Sequence, residues 1–498
     1  MSGSRYRFGD VTHRGLLGGV RPGQALVVVA GAGWAIVLID LAPSGAGALA
    51  ALLGMLAAAA TATMPIGGLT VEQWLPVSVA WTIARVSSAT RGRQDGEGDG
   101  TIVALPVPES STPARVKRRR QATPPRSLRG VRIVEIPYRG QAIGAVSEHS
   151  GRRLTLLLAG RAPGFALADE SEQQQRLAVW GEVLKDACRG AVRRIGWVER
   201  TAPAQGDGLA RWLHEQRDPE IPLQSAVGRS YLELMDSSAQ ATREHEVILA
   251  VQVDTALLRK DVAGRREEAL ISAAERIAQG LERARVHVDA ALTAGGVARA
   301  LRVAFDPYIH PQLAALRAVG GGDELSEHGA WPAATRASWG HYLTDGAVHA
   351  TYEIGGWPRA DVGPAFLGPL LGASEHVRAV AVVFEPLDPL RSLRQAEYEI
   401  TREETDRQTR RRYGQVETAR QHQTTDAARM REIELASGHA EVRLAGFVTV
   451  TASDLDELEA ACDEVVTHAG RANLELRRLY GQQADAFTFT LPLCRGLR

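Results

Sequence analysis

Two apolar runs lie between Gln24 and Met64, separated by a connector around Pro43, Ser44 and Gly45. The first runs from Ala25 to Ala42 (ALVVVAGAGWAIVLIDLA) and the second from Gly45 to Met64 (GAGALAALLGMLAAAATATM). Each is close to the roughly 20 residues that cross a hydrocarbon core, and neither contains Lys, Arg or Glu. A pair of this length and polarity forms either a membrane hairpin or a helical hairpin buried in a soluble domain. The Ala-rich second run, weakly hydrophobic residue for residue, is where the buried alternative is strongest. A cleaved signal peptide does not fit, because a second apolar run follows at once and Thr61, Thr63 and Pro65 form no convincing cleavage site.

Charge orients the hairpin, since cytoplasmic flanks carry an excess of basic residues. Arg5, Arg7, Arg14 and Arg21 precede the first run, Arg85, Arg91 and Arg93 follow the second, and the connector has none. Both termini are therefore expected in the cytoplasm. Trp34, within the first run, reads as a membrane or interface residue. Asp40, near its outer end, reads as an interfacial carboxylate. Gly31, Gly33, Gly54 and Ala58 would let the two helices approach closely. Beyond the second run, Trp74 and Trp81 sit on an amphipathic segment, at a depth tryptophan favours if the segment lies at the membrane interface.

Acidic and basic residues are equal in number across the 498-residue chain, which argues against direct nucleic-acid binding by the whole protein. Cys188, Cys462 and Cys494 are far apart, so neither a disulfide framework nor a zinc site is implied. Residues 87–130 turn to Gly, Pro, Ser and charge, as in a flexible linker. Arg115, Lys117, Arg118, Arg119 and Arg120 within it form a basic cluster suited to anionic lipid.

The rest reads as an α+β body with antiparallel sheets. A first unit, 131–204, has strands at Val131–Pro137, Gln141–Ser147, Leu154–Leu158 and Val192–Glu199, with a helix capped by Ser171 packed across them. A second, 205–389, carries a helix near Ser225–Ser238, a strand Glu246–Asp254, a helix Val262–Arg283, a strand Val286–Val288 and a helix Ala294–Phe305. It continues with a hairpin in which Asp345-Gly346 supplies a positive φ, a short helix Val362–Leu371 and a strand Val377–Glu385. Leu390–Leu435 is almost continuously polar and helical, with a break at Gly414, and reads as a protruding charged hairpin. Residues 439–498 return as strand Ala440–Thr451, a helix from a Ser453 cap to His468, strand Asn473–Leu479 and the terminal segment to Leu493.

Lysines occur only in Val116-Lys117, Leu184-Lys185 and Arg259-Lys260, so these 498 residues contain no Gly-Lys-Ser/Thr phosphate loop. His341 and His349 have no carboxylate at metal-site spacing. Gly320-Gly321-Gly322 lacks the strand-to-helix context of a dinucleotide site, and Gly-x-Ser-x-Gly is absent. The reading is of a protein without catalytic residues, cofactor or metal. A membrane-bound enzyme with an unrecognised site would instead need a pocket of convergent ionisable groups.

Two stretches carry a resemblance. Arg14-Gly15-Leu16-Leu17-Gly18-Gly19-Val20-Arg21-Pro22-Gly23-Gln24 before the hairpin and Gly68-Leu69-Thr70-Val71-Glu72-Gln73-Trp74-Leu75-Pro76 after it resemble the PrgI family. These are two-helix membrane subunits found beside the ATPase of type IV secretion and conjugation loci. The soluble part resembles the non-ATPase amino-terminal region of those ATPases, as in the actinobacterial proteins that fuse the two. The matching stretches are His341–Ile354 with Trp357-Pro358-Arg359, Glu434–His439 and Phe489-Thr490-Leu491-Pro492-Leu493. Secretion ATPases continue beyond Leu-Pro-Leu into a nucleotide-binding domain, whereas this sequence ends at Arg498. The resemblance implies an inner-membrane structural subunit that docks a separate hexameric ATPase, contacts other channel subunits and the lipid bilayer, and works as an oligomer. A membrane-tethered regulatory or sensory scaffold is the alternative.

Overall fold

The computed structural model describes residues 22–63, 70–92, 123–161, 164–165, 168–203, 225–226, 229–230, 243–258, 265–313, 325–358, 362–372, 376–412 and 419–497. The basic cluster Arg115–Arg120, Gly320–Gly322, Gly414 and most of the helix expected near Ser225–Ser238 lie outside the described residues.

The first unit is helical: α1 (Pro22–Leu41), α2 (Gly45–Thr63) and α3 (Val71–Gly92). α1 and α2 match the two apolar runs, and each is long and apolar enough to cross a membrane. They pack at small residues. A Cβ on Gly31 would lie 2.5 Å from the Ala58 Cβ, so the close approach expected of the small residues occurs at that pair. A Cβ on Gly33 would meet no atom of another element within 4 Å among the described residues.

The body comprises β1 (Arg132–Tyr138), β2 (Gln141–Glu148), β3 (Arg153–Arg161), α4 (Glu170–Ala187), β4 (Val192–Pro203), β5 (Arg243–Asp254), α5 (Arg266–Arg283), β6 (His287–Ala291) and α6 (Ala294–Phe305). Then follow β7 (Arg336–Ala337), β8 (Tyr342–Leu343), β9 (Val348–Gly356), α7 (Gly368–Leu371), β10 (Val377–Pro386), α8 (Pro389–Arg412), α9 (Ala419–Ala436), β11 (Val442–Ala452), α10 (Leu455–Arg471), β12 (Glu475–Arg478) and α11 (Gln483–Phe487). The ranges 131–204, 205–389 and 439–498 are not separate sheets. Their strands join one antiparallel sheet in the order β1-β2-β3-β5-β4-β10-β11-β9-β8-β7, with β6 also on β3 and β12 also on β9.

That order is a palindrome, and the chain explains why. β3-α4-β4-β5-α5-β6 is a split β-α-β unit with strand order β6-β3-β5-β4, and β9-α7-β10-β11-α10-β12 repeats it as β12-β9-β11-β10. Each unit is preceded by a hairpin on its first strand, β1-β2 or β7-β8, and followed by a further helix, α6 or α11. The units meet edge to edge where β4 runs antiparallel to β10, from Ile195 opposite Phe384 to Arg200 opposite Ala379. The body is thus two halves of the same ferredoxin-like strand order, joined edge to edge at β4 and β10. The charged hairpin α8-α9 occupies the connection between the second and third strands of the second half.

Alternation along the strands sorts side chains to two faces. Leu156, Leu158, Ile195, Leu249 and Val251 pack beneath α4 and α5, while Tyr352, Val380, Val448 and Val450 pack with α7 and α10. Leu157, Ala250 and Val383 face the other way, into a core built with α6 and the C-terminal residues Phe487, Leu491, Leu493 and Cys494. That second core draws on both halves.

Local expectations are corrected in several places. α4 is capped by Asp169, which accepts the Glu172 N–H at 2.8 Å, and the Ser171 hydroxyl donates to the same carboxylate. α10 is capped by Asp454, which accepts the Glu457 N–H, while the Glu457 carboxylate accepts the Ser453 N–H. This places Glu457 at the capping-box position. The strand expected at Val286–Val288 is β6, which runs from His287 to Ala291. Neither Asp345 nor Gly346 has a positive φ. Gly346 lies close to the Asp306 side chain, whose carboxylate would be 2.9 Å from a Cβ there. Asp345 accepts from the N–H groups of Ala333 and Ala334 and from Arg302.

Candidate membrane-facing site

The outer surfaces of α1 and α2 are lined by large apolar side chains, among them Leu26, Val29, Ile36, Leu41, Leu52 and Leu56, all more than half exposed. A contiguous apolar surface of this kind marks a membrane or partner site. Ala35, Ala51 and Ala62 are buried, and the Gln24 side chain donates to the Ala62 carbonyl at 2.9 Å, tying the start of α1 to the end of α2. Trp34 is 62% exposed and lies about 4 Å along the axis from the middle of α1, which places it on the apolar wall and not at its rim. Asp40, next to the last residue of α1, is exposed.

On α3 the sequence pointed to Trp74 and Trp81, and both are half-buried. The Arg85 guanidinium lies 5.0 Å over the Trp81 ring, a cation–π contact. Among the described side chains of this helix, the large aliphatic ones left exposed are Leu75, Val79 and Ile83. Sequence reasoning passed over them because aliphatic residues carry no interfacial signature, although their i, i+4, i+8 spacing could have flagged one face.

Among the described residues of the body, His349 on β9 is a fully enclosed titratable side chain. Its Nε2 lies 3.1 Å from the Phe305 carbonyl, which can only accept, so Nε2 carries the proton and Nδ1 accepts from the Thr451 hydroxyl at 2.9 Å. Burial pushes its pKa down to about 3. His341 is half-exposed, its pKa lowered first by burial and then by Arg478. The two histidines do not converge on one site, and among the described residues no group of three His, Cys, Asp or Glu side chains could hold a metal. Beside His349 runs a threonine seam, in which Thr449 Oγ1 lies 2.8 Å from Thr351 Oγ1 and 2.7 Å from Thr490 Oγ1. The Gln483 amide stands in for a strand partner at Thr351, accepting its N–H at 2.8 Å and donating to its carbonyl at 3.2 Å. β8 and β12 leave that position of β9 unpaired.

The neutrality of His349 has a measurable consequence. With a folded pKa below the unfolded value, the unfolded chain binds the extra proton as pH falls from about 6.5 toward 3, so stability drops through that window. The slope from this one group is about 1.4 kcal/mol per pH unit. In urea titrations between pH 7 and pH 4, His349→Asn is expected to start less stable and to lose stability less steeply than the parent. An unchanged slope would place the acid sensitivity elsewhere.

No family model matches this chain. No curated protein matches it.

Proposed function

We propose that this chain is a non-catalytic structural subunit of a type IV secretion or conjugative transfer machine. α1 and α2 anchor it in the plasma membrane with both termini cytoplasmic, and the body docks a separate hexameric P-loop ATPase. The observation that carries this reading is the succession of two helices long and apolar enough to cross a membrane and a large α/β body. The flanking residues that resemble the PrgI family support it from the sequence side.

The arm α8-α9 is the body's protruding contact with a neighbour. Its base is fixed: Ser392 and Ala396 are buried, Arg431 pairs with Glu441 at 2.6 Å, and the Leu387 N–H donates to the Glu441 carbonyl. Tyr398 on α8 and Met430 and Ile433 on α9 are exposed. β10 and β11 pair from Val377 opposite Thr451 to Pro386 opposite Val442 without help from the arm. Replacing residues 401–428 with a short Gly/Ser turn is therefore expected to change stability by no more than about 1 kcal/mol, while association with the neighbour is lost. Chemical denaturation and co-purification read the two effects separately.

The reading is tested by a mild-detergent pull-down of the tagged full-length protein, with a parallel sample lacking residues 1–86, and mass spectrometry of every co-purifying chain. Recovery of a P-loop ATPase with both samples is expected. Recovery with neither, from membranes shown to contain the ATPase, would support the regulatory scaffold instead.

A further inference from the structure

We infer that α3 is an in-plane lipid-binding helix whose inserted edge is Leu75, Val79 and Ile83, seated at the boundary between headgroups and acyl chains. The inference rests on the reading of α1 and α2 as membrane spans and adds a second mode of attachment to it.

Three observations carry it. First, the three side chains are 59%, 48% and 63% exposed, and their spacing of four residues stacks them along one face of the helix. A stripe of large aliphatic residues left open to water beside an apolar hairpin marks a membrane or partner surface. Second, the neighbouring polar group on that edge is already satisfied. The Thr82 hydroxyl donates to the Ser78 carbonyl at 2.7 Å, so it needs no water partner and can enter a low-dielectric layer. Of the described charged groups, Glu72 lies in the first turn against Gly23, and Arg85 lies over Trp81, around the helix from the stripe, where it can remain at headgroup level.

Third, the position is right. A Cβ on Gly23 would fall 2.2 Å from the Glu72 carboxylate, so the first turn of α3 rests against the first turn of α1. The Gln24 to Ala62 bond marks the same end as the one where α2 finishes. α3 therefore begins at the open end of the hairpin, at the depth where the apolar walls of α1 and α2 stop. The stripe continues those walls, and this continuity identifies its occupant as the lipid that surrounds the hairpin. The tryptophans pack on the flank and are not the inserted residues.

The test uses the full chain in nanodiscs of mixed phosphatidylcholine and phosphatidylglycerol. Single cysteines at Leu75→Cys, Val79→Cys and Ile83→Cys carry an environment-sensitive dye. Val29→Cys and Leu52→Cys report on the hairpin, and Glu397→Cys on the arm serves as the aqueous control. Cys188, Cys462 and Cys494 are buried and remain unlabelled in the folded protein. Dyes at 75, 79 and 83 are expected to emit at shorter wavelength than the dye at 397, and to be quenched several-fold more by lipids bearing a nitroxide near the headgroup. Water-like emission at all three positions, with strong quenching at 29 and 52, would overturn the inference and leave the hairpin reading standing. Absence of quenching at 29 and 52 would overturn both.

Discussion

Removing residues 483–498 is expected to abolish cooperative folding of the body. Phe487, Leu491 and Leu493 are essentially inaccessible and sit in the core shared by the two halves. At about 1.5–3 kcal/mol for each large apolar side chain, their loss approaches the roughly 5–15 kcal/mol by which a domain is stable. The polar contacts make it worse. Arg194 donates to Glu385 and to the carbonyls of Cys494 and Leu497, Arg495 pairs with Glu148 and donates to the Ser127 carbonyl, and the Gln252 amide donates to the Leu493 carbonyl. Glu148 is 2% exposed, and a buried charge stripped of its partner costs about 3–5 kcal/mol. Arg495→Met, which removes the Glu148 partner together with the bond to Ser127, is expected to lower stability by about this much in urea titrations, whereas the truncated chain is expected to show no cooperative transition. A truncated chain that kept the parental midpoint would show the segment to be an accessory.

A chain cut between residues 313 and 325 is expected to reassemble from its two fragments in a 1:1 ratio, with neither fragment folding alone. The two halves exchange their ends. The Phe305 carbonyl, at the end of α6 in the first half, accepts from Thr344 and His349 of the second, and Arg302 pairs with Asp345 at 2.8 Å. In return the end of the second half lies on the first, where the Cys494 thiol donates to the Ala250 carbonyl at 3.4 Å and Arg495 reaches Glu148. Between these exchanged ends the β4-β10 ladder continues the sheet, and Trp180 packs edge-on against Phe384 with centroids 5.5 Å apart. Each fragment alone would expose a central strand edge and half of the shared core, a combination that aggregates. Size-exclusion chromatography of co-expressed and separately expressed fragments reads the outcome. A fragment that folded and stayed monomeric by itself would mean that each half holds a sufficient core.

The sequence made the hairpin legible because α1 and α2 are long runs whose apolar character alone sets their bounds, to within three residues of the structure at each end. α6 was equally legible, since Thr293 caps a strongly amphipathic stretch that ends at Asp306. Strand existence followed from alternation, but strand partners did not. Nothing local in Ile195 indicates that its neighbour is Phe384, nearly two hundred residues later, because a period of two fixes a face and leaves the pairing open. The palindromic order therefore emerged only from the structure. Asp169 was passed over as a cap because Ser171 also suits the role, and local hydrogen bonding decides between them. At the candidate site, tryptophan chemistry drew attention to Trp74 and Trp81, whereas burial turned those rings to the flank and left three plain aliphatic residues outermost.

The central claim is that the body docks a separate motor, and site-specific photo-crosslinking in living cells tests it most directly. A photoreactive residue is placed in turn at Tyr398 on the arm and at Leu455 and Val466 on α10, all exposed, and the joined chains are identified by mass spectrometry. The account predicts a crosslink to a P-loop ATPase from at least one of these positions. Crosslinks that never include such an ATPase, in cells shown to contain it, would contradict it.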